Sequence, residues 1–184
     1  MTTTFIVRSG PGPDANGNIT DMEGWDLARY QANPVVLWDH QESIPPIGKA
    51  TRVAIHQAQL VADIEFTDTE LAKTIERLIS NRMINATSAR WLPITWTTLR
   101  DEKGWTTGIH SHQQALIELS IVNIPADPAA LRAHLNTNGT TLSASPALYI
   151  TDPPPCPTCT QGRQDHKYAI ALFEALNGVL RGAP

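Results

Sequence analysis

Leu116-Ile117-Glu118-Leu119-Ser120-Ile121-Val122-Asn123-Ile124-Pro125-Ala126 is the stretch on which the reading of this chain turns. Six of its first nine residues are large aliphatics. They stand too close together for one face of a helix, so the segment reads as a strand buried on both sides for part of its length. Glu118 sits in the middle of that apolar run. A carboxylate there either reaches water or is buried with a partner, because burial alone costs on the order of several kcal/mol. An imidazole is a natural partner.

Working outward, the rest of the chain reads as mainly β with a few helices. Residues 1–10 read as a strand carrying Phe5 and Val7, and residues 14–18 as a turn. Residues 22–31 suggest a short helix with Trp25, Leu27 and Tyr30 inward, stopped by Asn33-Pro34. Val35-Val36-Leu37-Trp38 is a short buried strand, and residues 47–53 and 60–66 are two more. In the last of these Leu60, Ala62, Ile64 and Phe66 lie on one face, with Asp63 and Glu65 on the other. Residues 68–81 are the best helix, with Thr67 and Glu70 as a capping box and Leu71, Ile75, Leu78 and Ile79 in one stripe. Residues 83–96 return as strand, and residues 97–107 form a hairpin around a turn at 101–104. Asp127-Pro128 fits the start of a last core helix carrying Leu131 and Leu135.

The composition changes near residue 136. Thr, Ser, Gly and Pro dominate residues 136–164, including Asp152-Pro153-Pro154-Pro155, which is linker chemistry. Residues 165–184 then read as a C-terminal amphipathic helix or a removable propeptide. The core domain is thus placed at residues 1–135.

Two further segments supply chemistry. Trp38-Asp39-His40 ends a buried strand with a base, and Ala86-Thr87-Ser88 offers a nucleophile. Alone, each is more often structural. No Gly-x-Ser-x-Gly surrounds Ser88, which argues against an α/β-hydrolase. With Glu118 they complete a serine hydrolase set in the chain order His, Ser, Glu.

The blocks together resemble the tailed-phage prohead (capsid maturation) serine proteases. Asn33-Pro34-Val35-Val36-Leu37-Trp38-Asp39-His40 with Pro46-Ile47-Gly48-Lys49-Ala50 looks like that family's histidine block. A strand at 60–66, a helix at 69–81, Ala86-Thr87-Ser88 and the Leu116–Ala126 block follow in the family's order, covering roughly residues 5–135. The resemblance implies a fold similar to herpesvirus assemblins, a small β-barrel surrounded by a few helices. It implies a serine endopeptidase that cleaves scaffold and major capsid protein, and itself, inside the prohead in the host cytoplasm. It assigns His40 as the base, Ser88 as the nucleophile and Glu118 as the third member. The reading as a whole expects no cofactor, no metal, no nucleic acid and no membrane, and it admits a homodimer. The family commonly has Ser-x-Gly-aromatic where this chain has Ser88-Ala89-Arg90-Trp91. Arg90 replaces a flexible residue where an oxyanion hole would form from the Ala89 or Arg90 amide. Either the guanidinium helps hold the oxyanion, or activity is reduced. The second option is a catalytically weak or inactive protease-fold protein that serves in capsid assembly or scaffolding.

A rival reading is a metal hydrolase built on His110-Ser111-His112, whose imidazoles share a face if the segment is a strand, with His40 and His56 adding nitrogen. No carboxylate or cysteine lies at ligand spacing beside them. Cys156 and Cys159 form a lone Cys-x-x-Cys, read first as free surface thiols, with zinc shared with His166 or another copy, and then redox work, as the alternatives. The formal charge of -4 gives no reason to expect nucleic acid or an anionic membrane as partner. The N-terminus lacks a basic region followed by a long apolar stretch, so an intracellular location is expected.

Overall fold

The computed structural model describes residues 2–135 and 141–142. It contains β1 (Thr2–Arg8), β2 (Ile19–Thr20), a 3-10 turn at Met22–Gly24, β3 (Trp25–Asp26), α1 (Ala28–Ala32), β4 (Val35–Trp38), β5 (Gly48–His56) and β6 (Gln59–Phe66). It continues through α2 (Glu70–Ser80), β7 (Ala86–Arg100), β8 (Thr106–Val122), β9 (His134–Leu135) and β10 (Thr141–Leu142). The fold is mainly β, as expected, with a curled half-barrel sheet and few helices.

β8 is the spine. It pairs antiparallel with β7 on one side. On the other it pairs in parallel with β2, β3 and β4 in turn. Its expected inner part, near Glu118, is buried without a break from Glu118 to Val122. The remaining ladder runs β4-β5-β6-β1, all antiparallel. Gly48 is required at the β5–β6 contact: a Cβ there would lie 2.5 Å from the Glu65 carbonyl oxygen.

The expected helix after Asp127 does not form. Residues 127–129 make a turn, and residues 130–133 run between β1 and β7. Ile6 N–H donates to Leu131 O, Ala133 N–H to Thr4 O, and Thr87 N–H to Ala130 O. The backbone groups a helix would use internally are taken by two strand edges. That tertiary demand outweighs the local capping signal. The Asp127 carboxylate accepts from Ser9 and from Ala129 N–H, so its capping chemistry serves a turn instead.

α2 agrees with the expected helix, with two corrections. Its cap is Thr69, whose Oγ1 accepts from Ala72 N–H at 3.3 Å, while Thr67 Oγ1 donates to Ile47 O. Its inward residues are Ala72, Ile75 and Ile79, and Leu71 is exposed. The expected 22–31 helix is cut to α1, because Trp25 and Asp26 join β8. Tyr30 is nonetheless buried, and Trp25 and Leu27 pack on the core. That core also contains Phe5, Val36, Ile47, Leu60, Ile64, Leu116, Leu119 and Ile121.

The outer part of the β7–β8 hairpin extends into solvent. Its tip is the expected turn, closed by Asp101 N–H to Trp105 O, with Gly104 at φ 82°. Trp96, on this outer part, is 51% exposed. The expected features at residues 143–184 lie outside the described residues. Within the expected linker, β10 pairs with β9.

Candidate active site

His40 lies just past the end of β4. Asp39 and His40 both have left-handed backbones, at φ 50° and 58°. For residues with a Cβ this costs about 1–2 kcal/mol each, so the turn must be held. Asp39 N–H donates to Ile121 O at 2.9 Å, Gln41 N–H to Trp38 O at 3.0 Å, and His40 N–H to Ser120 Oγ at 3.0 Å. The strand alternation therefore ends at Trp38, and the two-residue spacing of Trp38 and His40 does not put them on one strand face.

Glu118 and Ser120 are two apart on β8 and so share a face. Glu118 is buried, 6% exposed, and its Oε2 lies 2.6 Å from His40 Nδ1. Its other oxygen accepts from Ser120 Oγ in a very short hydrogen bond. The carboxylate thus meets the requirement set by its apolar surroundings. Next to it, the β7–β8 register slips between Arg90 and Trp91, leaving Ile117 as the extra residue. A bulge re-aims neighbouring side chains. Tyr30 is buried nearby and donates to Val35 O at 2.9 Å; burial pushes its pKa up, and the charge of Glu118 adds to the rise.

Ser88 pairs directly with Ser120 across the β7–β8 ladder, and Arg90 with Glu118. Directly opposed residues point to the same face, with Cβ atoms about 4.5–5.5 Å apart. Ser88, Arg90, Glu118 and Ser120 therefore share one face, and the His40 turn is bonded to it. Ser88 is 6% exposed. Among the described residues, no hydrogen bond joins its hydroxyl to His40, whose ring contact is Glu118. The crevice lined by Ser88, Ala89, Trp25 and Trp91 holds about 20 Å³, room for about one water.

Arg90 is committed to carboxylates. Its guanidinium forms a close ion pair with Glu42, and its Nε lies 3.8 Å from Glu118 Oε2. The pKa of His40 is raised, chiefly by its hydrogen bond to Glu118 and further by that residue's charge. Partial burial and the Arg90 charge oppose the rise.

Ser120 is the residue that sequence reasoning missed. It ties the backbone of His40 to the carboxylate of Glu118. The available signal was its spacing, two residues after Glu118 in a strand.

His110 and His112 do share a face, with ring centroids 4.5 Å apart. Their lack of a neighbouring carboxylate is overturned. Asp21, 89 and 91 residues away in sequence, lies between them. Neither His40 nor His56 joins this cluster.

Comparison with protein-family models, with curated proteins and with solved structures found no match for this chain.

Proposed function

We propose that this chain is a serine endopeptidase of the prohead maturation type, with Ser88 as nucleophile, His40 as general base and Glu118 orienting the imidazole. The observation that carries the reading is the 2.6 Å contact between His40 Nδ1 and a buried Glu118. That contact leaves Nε2 as the nitrogen available to a substrate-side hydroxyl. The shared face of Ser88 with Glu118 and Ser120 adds support. The curled sheet is compatible with the herpesvirus-protease-like barrel that the resemblance implies.

His40 would take the proton of Ser88 as its oxygen attacks the scissile carbonyl, and return it to the leaving amine. The tetrahedral oxyanion needs donors, which we assign to the Ala89 or Arg90 amide. Substrates are segments of the major capsid protein and scaffold, and the chain's own residues 136–164. This mechanism requires the Ser88–His40 hydrogen bond to form when substrate binds, as catalytic hydrogen bonds that are long in free enzymes commonly do.

A second reading is a weakly active or inactive protease-fold assembly protein. It is favoured by the Ser88 hydroxyl, which makes no hydrogen bond to His40 among the described residues, and by Arg90, whose charge is engaged by Glu42 and Glu118. Intact-mass measurement of the full-length chain, co-expressed with the major capsid protein, separates the two. The protease reading expects trimmed products with the natural chain and full-length ones with Ser88→Ala. Identical masses for both chains, with the capsid protein uncut, would sink it.

A further inference from the structure

We propose that Asp21, His110 and His112 form a binding site for Zn²⁺ or a similar transition-metal cation, separate from the candidate active site. The donor set is two imidazole nitrogens and one carboxylate, borderline ligands suited to zinc. Asp21 Oδ1 lies 2.7 Å from His110 Nε2, and Oδ2 lies 2.9 Å from His112 Nδ1. All three donor atoms fall within 4.8 Å of one another. Zinc at about 2.0–2.1 Å from each ligand needs donor atoms roughly 3.4 Å apart. The two hydrogen-bonded pairs would open by about 0.5–0.7 Å, and all three side chains are partly exposed, at 43%, 31% and 42%.

The fold holds the set in place without the ion. Parallel pairing of Ile19 with His110 and Thr20 with Ser111 fixes the register of Asp21 on β8. Asp21 N–H donates to Ser111 O at 2.9 Å, and its carbonyl accepts from the buried Gln114 amide at 2.7 Å. Gly24 lets the following turn lie against β8, since a Cβ there would meet His112 O at 2.0 Å. His112 also has an outer partner: Nε2 lies 3.4 Å from Thr97 Oγ1. With Nδ1 on the metal, Nε2–H would donate to that hydroxyl, the usual way a ligand imidazole is oriented.

Three protein donors leave a coordination position open. An open groove of about 640 Å³ borders Asp21 and His112 and is lined further by Glu23, Gln113 and Ile55. Water or a small oxygen ligand would occupy that position. Two neutral imidazoles and one carboxylate give the site a charge of -1, complementary to a divalent cation. Along β8 the two histidines are six and eight residues from Glu118, roughly 20–26 Å at about 3.3 Å per residue.

The test is zinc titration of the metal-free full-length chain by calorimetry, repeated with Co²⁺ and read by visible absorption. The expected result is one Zn²⁺ per chain, with a Kd of roughly 1 µM or tighter. His112→Gln should weaken binding by more than about 100-fold, and Thr97→Val by about 10-fold. The Co²⁺ complex should lack thiolate charge-transfer bands, and the Cys156→Ser/Cys159→Ser chain should bind as the natural one does. Ser88→Ala should also bind zinc normally, which keeps this test independent of the protease reading. A melting curve of metal-free His112→Gln matching the metal-free natural chain shows that loss of binding is not loss of fold. Should that variant fail to fold, Asp21→Asn replaces it, with weakened binding expected. Absence of binding at millimolar zinc overturns the proposal. So does binding that survives His112→Gln, or that disappears with the cysteines, either of which places the metal elsewhere.

Discussion

Ser120 Oγ accepts the backbone N–H of His40 at 3.0 Å, across 80 residues of sequence, and donates its own proton to Glu118. One buried hydroxyl therefore fixes both the backbone of His40 and the carboxylate that contacts its ring. It also offsets part of the conformational cost of two consecutive left-handed residues.

Ser120→Ala removes that tie. It leaves the His40 N–H without its partner and the carboxylate of Glu118 one donor short. The expected destabilisation is about 1–3 kcal/mol, read from the urea midpoint. If Ser88 and His40 act as proposed, cleavage falls while substrate affinity changes little. An unchanged urea midpoint would contradict the role given to Ser120.

The titration of His40 follows from its neighbours. Its folded pKa lies above the ordinary value of about 6.5. Folding therefore favours the protonated ring. The pH-dependent part of this stabilisation is full below about pH 6.5 and is lost as pH rises through the raised folded value. If His40 is the base, as proposed, it must be neutral to accept a proton, so cleavage should rise over that same upper range. NMR titration of the His40 ring checks the direction. Glu118→Gln should move the midpoint down, because it removes the dominant cause of the rise.

Arg90 acts on the same ring with the opposite sign. Its charge opposes protonation of His40. Arg90→Gln should raise the His40 midpoint by a small amount, since the guanidinium is half-exposed and screened by solvent. The substitution should shift stability by no more than about 1 kcal/mol, the usual range for exposed ion pairs. A fall in the midpoint would show that Arg90 does not act through its charge.

Gly48→Ala tests the sheet itself. The added methyl would come within 2.5 Å of the Glu65 carbonyl oxygen in the neighbouring strand. Backbone cannot yield as a flexible side chain does. A loss of at least about 1–3 kcal/mol is expected, seen as a lower melting temperature. Gly104→Ala is a useful contrast. There the added Cβ has open space but the backbone stays left-handed at φ 82°, so the cost is limited to about 1–2 kcal/mol.

Much of the fold was legible because its signals are local. The run from Val35 to Trp38, the alternation ending at Phe66, the Asp101–Gly104 turn and the apolar stretch around Glu118 each declare themselves within a few residues. All four occur where expected. The partner demanded by Glu118 was also legible, because a buried carboxylate excludes most alternatives. Other features depended on distant chain. Asp127-Pro128 has the chemistry of a helix start and of a turn alike. The free backbone groups of Thr4, Ile6 and Thr87 decided between them.

The sequence by itself determined a mainly β domain and the residue types that a hydrolase would use, because strand patterning and the cost of burying charge act locally. Only the tertiary structure decided their arrangement. Strand pairing set Ser88 opposite Ser120, brought Ser120 to His40 and delivered Asp21 to His110 and His112. These contacts join residues from 32 positions apart, for Ser88 and Ser120, to 91, for Asp21 and His112, and their geometry comes from strand register, which short-range sequence patterns do not specify.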